Sequence, residues 1–292
     1  MLPERESADD APGRLLYQRF IAGVEESRDV LSAVTALMAP GGLVHVQNGD
    51  VVPRTVAERH AIMMQAILPD MTLAVDDVFF PDGLMVMQVR FFGSVRPGIP
   101  HLPPGMEVVS LGCVVARPNT EGLIEEMWSQ VNPGFPFSYP RTGVNSPVPQ
   151  PDGAGPEHAR ALYEDWLRRA NAGTDFIRAV SGTVAPNGAV YLGNGDVGGG
   201  QVLEGLFARI AQGLPDISLE IDKVIFSGDR VVVLFTMSGT HLGPIGVWPA
   251  SGRTLPSTGA LIARANRQSQ ASELWTYVAP GYAITLPPTA PR

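Results

Sequence analysis

The feature that most constrains this chain is that it is written twice. Residues 67–80 read ILPDMTLAVDDVFF and residues 213–226 read GLPDISLEIDKVIF. Leu68-Pro69-Asp70 therefore answers to Leu214-Pro215-Asp216 at an offset of 146. The same offset carries Tyr17 onto Tyr163, Asp29 onto Asp175, and Asn48-Gly49-Asp50 onto Asn194-Gly195-Asp196. One inserted residue between Gly239 and Trp248 then changes the offset to 147, which places Arg117 on Arg264, Trp128 on Trp275 and Pro133-Gly134 on Pro280-Gly281. A correspondence held over most of the chain is a tandem duplication. Its period is far longer than the roughly 20–50 residues of solenoid repeats, so each copy is expected to be a whole domain.

The length of 292 residues fits two such domains, since domains commonly hold about 100–150 residues. We place them at 13–135 and 158–284, joined by a Pro/Gly-rich linker over 136–157. The net charge of −8, with no run of Lys or Arg, argues against nucleic acid and anionic membranes, which need clustered cations. Cys113 is the only cysteine, so a disulfide framework and a Cys-rich metal site are excluded. Its apolar surroundings point to a buried, inert thiol. No apolar stretch reaches the ~18–20 residues of a membrane span, and Met1 to Asp10 is acidic without an apolar signal region. A soluble cytoplasmic protein is the expectation.

Leu15, Leu16, Phe20 and Val24 recur at helical spacing, which predicts a helix over 14–26. A second helix is expected from Asp29 to Met38, capped by Asp29 or Ser27. Ala39-Pro40-Gly41-Gly42 should end it. A short strand over Leu43 to Gln47, an Asn48-Gly49 turn, and a third helix over 54–67 with Pro53 at its start follow. Beyond Leu68-Pro69-Asp70 the pattern changes to period two, with strands at 71–80, 84–95, 106–117 and 122–131. Copy two repeats this order from 160 to 278. Three helices followed by a meandering sheet is an α+β architecture, and a curved sheet wrapped on helices leaves a concave apolar cavity for a small ligand.

Taken in order, Leu214-Pro215-Asp216, Gly228-Asp229-Arg230-Val231, Gly239-Thr240-His241, Pro249-Ala250-Ser251-Gly252-Arg253 and Glu273-Leu274-Trp275 resemble the SnoaL-like polyketide cyclase family of the NTF2-like superfamily. That family's run is F-P-D, G-D-R-V, G-T-H, P-T-G-R and E-x-W-x-x-x-D. The resemblance extends over nearly all of both copies. Copy one keeps Leu68-Pro69-Asp70 and Glu126-Met127-Trp128 but has Gly93-Ser94-Val95 where copy two has Gly-Thr-His. The implied fold is two tandem cone-shaped (cystatin-like) α+β barrels, each with three helices on a curved, mostly antiparallel sheet, forming an intramolecular pseudo-dimer. The implied chemistry is ring closure by intramolecular aldol condensation of an apolar, polyketide-like substrate in secondary metabolism, with no metal or cofactor. The family's acid/base is an aspartate four residues after the tryptophan. This chain departs there, with Asn132 and Ala279, neither of which can transfer a proton.

Strand alternation sorts the remaining candidates, because residues i, i+2 and i+4 share a face. Trp128, Gln130 and Asn132 point one way, as do Trp275, Tyr277 and Ala279. His241 has the parity of Val231, Val233, Phe235 and Met237, which aims its imidazole into the cone, and an imidazole titrating near ~6.5 suits acid–base work. His45 and Gln47 share a face, Tyr191 stands in place of His45 in copy two, and His60 occupies the position of Leu206. The expected catalytic residues are His45, Asn132 and His241. The expected substrate contacts are Gln47, His60, Trp128, Gln130, Tyr191, Trp275 and Tyr277. Asp50 and Asp196 follow Asn-Gly, and turn chemistry accounts for them. Asp70 and Asp216 sit at a helix-to-strand break, where a structural role is expected. Gly193 to Gly198 matches G-x-G-x-x-G literally, but copy one reads Gln47-Asn48-Gly49-Asp50-Val51-Val52 in the same place, keeping only one of the three glycines, and no parallel βαβ unit follows, so a dinucleotide site is rejected.

Three readings stay open: a cyclase, a binding module that holds an apolar small molecule, and an epoxide hydrolase of the same fold. The last needs an Asp–Arg–Asp trio. Arg90 lies opposite the apolar set, so no such trio is visible in the pattern. Relatives of this fold pair sheet to sheet, and duplication would make that pairing internal, with a further homodimer as the remaining option.

Overall fold

The computed structural model describes residues 10–27, 29–98, 103–131, 142–143, 149–173, 175–246 and 248–278, apart from the side chains of Leu31, Ala57, His60, Ala61, Met63 and Met64. The chain divides into two compact units, Met1–Val46 with Asp50–Pro133, and Gln47–Gly49 with Gly134–Arg292. In the first unit α1 (Ala11–Ser27), α2 (Val30–Leu37), β1 (Met38–His45), β2 (Val51–Pro53) and α3 (Arg54–Ile67) precede β3 (Thr72–Phe79), β4 (Met85–Ser94), β5 (Glu107–Pro118) and β6 (Ile124–Val131). The second unit repeats the order with α4 (Pro156–Asn171), α5 (Phe176–Ser181), β7 (Val184–Leu192), β8 (Val197–Gly198), α6 (Gly200–Gly213), β9 (Ser218–Ser227), β10 (Arg230–Thr240), β11 (Thr254–Ala265) and β12 (Ala271–Tyr277). The architecture is α+β in two tandem domains.

Each unit holds a six-stranded sheet, ordered β2-β1-β6-β5-β4-β3 and β8-β7-β12-β11-β10-β9. The last four strands of each copy form the expected antiparallel meander. The first strand closes on the last in parallel, β1 on β6 and β7 on β12, so the sheets are mixed.

Local chemistry explains the repeated elements. Asp29 caps α2 by accepting from the Ser32 amide at 3.2 Å, and its counterpart Asp175 caps α5 by accepting from the Arg178 amide at 2.9 Å. Both satisfy amide groups that a helix start leaves unpaired. Two boundaries differ from the sequence reading. Ala39-Pro40-Gly41-Gly42 does not terminate a helix; it lies inside β1, which begins at Met38 and shifts register against β6 between Met38 and Leu43. Pro53 closes the edge strand β2 instead of opening α3, and an edge strand tolerates proline because its amide need not join a ladder.

One side of each sheet packs on the helices. In the first unit Leu16 and Phe20 of α1 meet Val44, Met85, Met87, Val89, Phe91 and Met127. In the second, Leu162 and Trp166 of α4 and Leu203, Leu206 and Ile210 of α6 meet Val190, Val231, Val233, Phe235, Leu261 and Leu274. Each such side chain contributes on the order of 1.5–3 kcal/mol by leaving water. Trp166 is fully buried and donates from Nε1 to Thr183 Oγ1 at 2.6 Å, so its polar edge is satisfied.

The linker is held where it is described. Asp196, buried, accepts from the Thr142 amide at 2.9 Å, the Thr142 hydroxyl at 2.9 Å and the Gly143 amide at 2.9 Å. Its own turn adds Asn194 Nδ2 at 3.1 Å. The Asn-Gly turn is therefore one part of its role, and the clasp on the linker is the other. Among the described residues no helix is long and apolar enough to cross a membrane.

Candidate functional site

The expected site residues fall on two different sides of the sheets. His45 lies directly across from Trp128 in the parallel β1–β6 register, and their rings stack at 4.9 Å and 15°. Val44 and Met127 beside them belong to the helix-packed core, so alternation turns His45, Trp128 and Gln130 to the opposite face. There His45 Nε2 lies 2.8 Å from Glu126 Oε1, and Arg117 Nη2 lies 2.7 Å from Glu126 Oε2. The second copy builds the same cluster with Tyr191 in place of His45. Tyr191 stacks on Trp275 at 5.0 Å and 7°, and its hydroxyl donates to Glu273 Oε1 at 3.1 Å. Glu273 also pairs with Arg264, whose Nε lies 3.6 Å from Asp229 Oδ2. Burial pushes the Tyr191 phenol up, the Glu273 charge and hydrogen bond push it further, and Arg264 opposes them.

An acid–arginine–acid trio therefore does exist, at Asp229, Arg264 and Glu273, where the pattern around Arg90 showed none. It faces away from the helix-packed core and laces β12, β11 and the β9–β10 turn together. Recurrence of the Glu–Arg–aromatic set in both copies fits a strand-lacing role. Sequence reasoning missed Glu126 and Glu273. The signal was present, because each stands two residues before its tryptophan and so shares its face, and Arg117 and Arg264 recur at the same offset.

The helix-facing side of the second sheet holds a different set. His241 follows β10, and its amide donates to the Arg253 carbonyl at 2.9 Å, which continues the ladder past Thr240. Its side chain is fully buried. Ser251 Oγ lies 3.0 Å from Nδ1, whereas Nε2 has no hydrogen-bond partner among the described residues. The Gly239-Thr240-His241 and Pro249 to Arg253 runs thus meet in space. Asp216 fixes the approach by accepting from the Thr240 amide and hydroxyl, each at 2.6 Å. Those hydrogen bonds hold the Asp216 carboxyl below the usual carboxylate range. Asp70 does the same in copy one through the Ser94 amide at 2.7 Å. Thr276 shares this helix-facing side with Leu274, and its buried hydroxyl is likewise unpartnered among the described residues.

Burial lowers the His241 imidazole below its ordinary value, with the main chain at Gly243 opposing the shift. The folded state therefore favours the neutral ring. Below ~6.5 the unfolded chain binds a proton that the folded chain resists, so stability falls as pH drops through that range. We expect melting temperature to decline between pH 7.5 and 5.5 more steeply in the wild type than in His241→Gln. Equal slopes in thermal scans would refute the linkage.

Other expected residues are placed as follows. Gln47, Gln130 and Tyr277 are buried. Asn132 and the side chain of His60 lie outside the described residues. Cys113 is buried, and burial pushes its thiol up to about 12, which makes it inert at neutral pH. Among the described residues no group of three or more His, Cys, Asp or Glu could hold a metal ion.

Residues 159–277 match the model of the SnoaL-like polyketide cyclase family. No curated protein matches the chain. Solved structures similar to it include AclR of Streptomyces galilaeus, provisionally assigned as a hydroxylase, at 20% identity over 47% of this chain and 87% of that one, with a TM-score of 0.37. IdmH of Streptomyces antibioticus, provisionally assigned as a polyketide cyclase, is similar at 21% identity over 40% and 89%, with a TM-score of 0.35. A protein of Jannaschia Sp. CCS1, provisionally assigned as a SnoaL-like polyketide cyclase, is similar at 17% identity over 50% and 98%, with a TM-score of 0.38.

Proposed function

We propose, from the premise that this chain carries a SnoaL-like polyketide cyclase domain in its second copy, that the protein closes or rearranges a ring in an apolar, enolisable small molecule and that His241 moves the proton. The single observation that carries this reading is a buried imidazole anchored at Nδ1 by Ser251, with Nε2 unpartnered among the described residues. An unpaired polar atom inside a core is costly, and a ligand group would supply the missing partner. The family's usual aspartate position is Ala279 here, so another group must take the proton. His241 Nε2 would remove a proton from the carbon beside a ketone. The resulting enolate carbon would attack a second carbonyl carbon, forming the new C–C bond. The imidazolium would then return its proton to the alkoxide oxygen, leaving the catalyst unchanged. A ring with a lowered pKa gives that proton back readily.

A binding module without chemistry is the competing reading, and one experiment separates the two. 1-Tetralone, an apolar two-ring ketone with an enolisable CH2 beside its carbonyl, is incubated with the protein in D2O, and deuterium incorporation at that carbon is followed by NMR. The proposal expects exchange faster than in buffer. Binding with no gain in exchange would leave a carrier, and the cyclase reading would fall.

A further inference from the structure

The turn that carries Ser251 is built in both units, but only the second unit has the serine. There the Gly252 amide donates to the His241 carbonyl at 2.9 Å, and in the first unit the Gly105 amide donates to the Val95 carbonyl at 2.9 Å. Both glycines lie at positive φ, 66° and 72°. The approach is fixed alike, by Asp216 on the Thr240 amide and by Asp70 on the Ser94 amide. Within this shared frame the imidazole and the hydroxyl are lost together. Val95 stands in the place of His241, and Pro104 in the place of Ser251. A proline brings no hydroxyl, yet the turn closes, so the turn does not need one. The closer contact of the Ser251 hydroxyl is with the imidazole, 3.0 Å to Nδ1 against 3.4 Å to the Arg253 amide.

A neutral imidazole carries one proton, and the nitrogen that holds it decides what the ring can do. On Nε2 it would be a buried N–H with no acceptor among the described residues, which is costly. On Nδ1 it meets the Ser251 oxygen at 3.0 Å and leaves Nε2 with a bare lone pair. Only the second arrangement presents a base at Nε2. The Ser251 oxygen already accepts from the Arg253 amide, and a hydroxyl oxygen has a second lone pair for Nδ1–H.

We infer that Ser251 is a positioning residue, which accepts from Nδ1–H and so holds His241 in the tautomer whose Nε2 can take a proton. This deepens the proposed function and rests on it for the proton transfer alone, since the tautomer is a property of the ligand-free protein. When Nε2 takes a proton the ring becomes an imidazolium, and the Ser251 oxygen keeps its Nδ1–H partnered. The proton then leaves from Nε2, the nitrogen it arrived on. The first unit has no imidazole to orient, and its turn carries no hydroxyl.

NMR of the ligand-free full chain, carrying 15N-labelled histidine and held above the ordinary imidazole range of ~6.5, tests this. His241→Gln identifies the His241 signals by their loss. The wild type should show Nδ1 protonated and Nε2 bare. Ser251→Ala should move the ring toward the Nε2–H form, and Ser251→Thr, which keeps the hydroxyl, should restore the wild-type pattern. With 1-tetralone in D2O, Ser251→Ala should lower kcat for exchange about tenfold, the scale of one hydrogen bond, with KM unchanged, and Ser251→Thr should regain it. A merely structural serine would move the melting temperature and leave the tautomer alone. A wild-type ring protonated at Nε2 would overturn the inference, and that measurement needs no variant to fold. So would a tautomer that Ser251→Ala leaves unchanged or that Ser251→Thr fails to restore. A tautomer that follows the hydroxyl in a protein without exchange would support the role of Ser251 and overturn only the cyclase reading.

Discussion

Replacing His241 by glutamine is expected to lower proton exchange and turnover by about 10²–10⁴-fold, the usual contribution of a positioned acid–base group. Glutamine fills similar space and can still hydrogen-bond Ser251, but it cannot carry a proton, so folding should be preserved while chemistry is lost. The pH profile supplies a second readout. Burial lowers the imidazole pKa, so the base stays neutral to lower pH than a free histidine. The acid limb of kcat/KM should fall below ~6.5 in the wild type and vanish from any residual activity of the variant. Activity within threefold of the wild type, in a variant with an unchanged melting temperature, would remove His241 from the mechanism.

Asp196→Ala is expected to cost about 3 kcal/mol or more of stability, because hydrogen bonds to a charged group contribute ~1.5–3 kcal/mol and the amides left behind lose their acceptor. Its carboxylate gathers the Thr142 amide and hydroxyl, the Gly143 amide and Asn194 Nδ2. Thr142→Val removes only the hydroxyl donor and should cost less. The double variant should cost less than the two single losses together, since the pair shares one interaction. Chemical denaturation checks both points, and a fully additive double variant would show that the hydroxyl–carboxylate bond of the clasp carries no energy.

The duplication, the α+β class and the order of the helices and meander strands were legible, because periodicity and a constant offset are properties of the text, whereas the short edge strands β2 and β8 were not read. The α2 cap and the boundaries of the four meander strands followed from side chains acting on their own neighbourhood, whereas the start of β1 did not. What could not be read was which side of each sheet meets the helices. Alternation grouped Trp128 with Gln130 and Trp275 with Tyr277 correctly, but parity alone does not say which group faces inward. For that reason the tryptophans drew the search to the face of the Glu–Arg clusters, and Thr276 on the other face went unremarked. His241 was found because its own strand supplied the reference, with Val231, Val233 and Phe235 on the same side. The acid–arginine–acid trio was missed because Asp229 comes from a turn, outside any alternation.

The irregularity at the front of β1 and β7 sets the phase of everything after it. In both strands the register slips, between Met38 and Leu43 and between Val184 and Ala189. At each slip a glycine lets a carbonyl approach closely: a Cβ on Gly42 would come within 2.8 Å of the Ile124 oxygen, and one on Gly188 within 2.7 Å of the Ala271 oxygen. Across each slip the first strand advances five residues while its partner advances two, so ironing it out means deleting three, an odd number, which would send every later side chain of the strand through the sheet to its other surface. His45 and Tyr191 would then exchange a carboxylate for grease, and Val44 and Val190 the reverse. Which neighbours these two aromatic rings keep is thus decided upstream of them, by a kink that carries no functional group of its own.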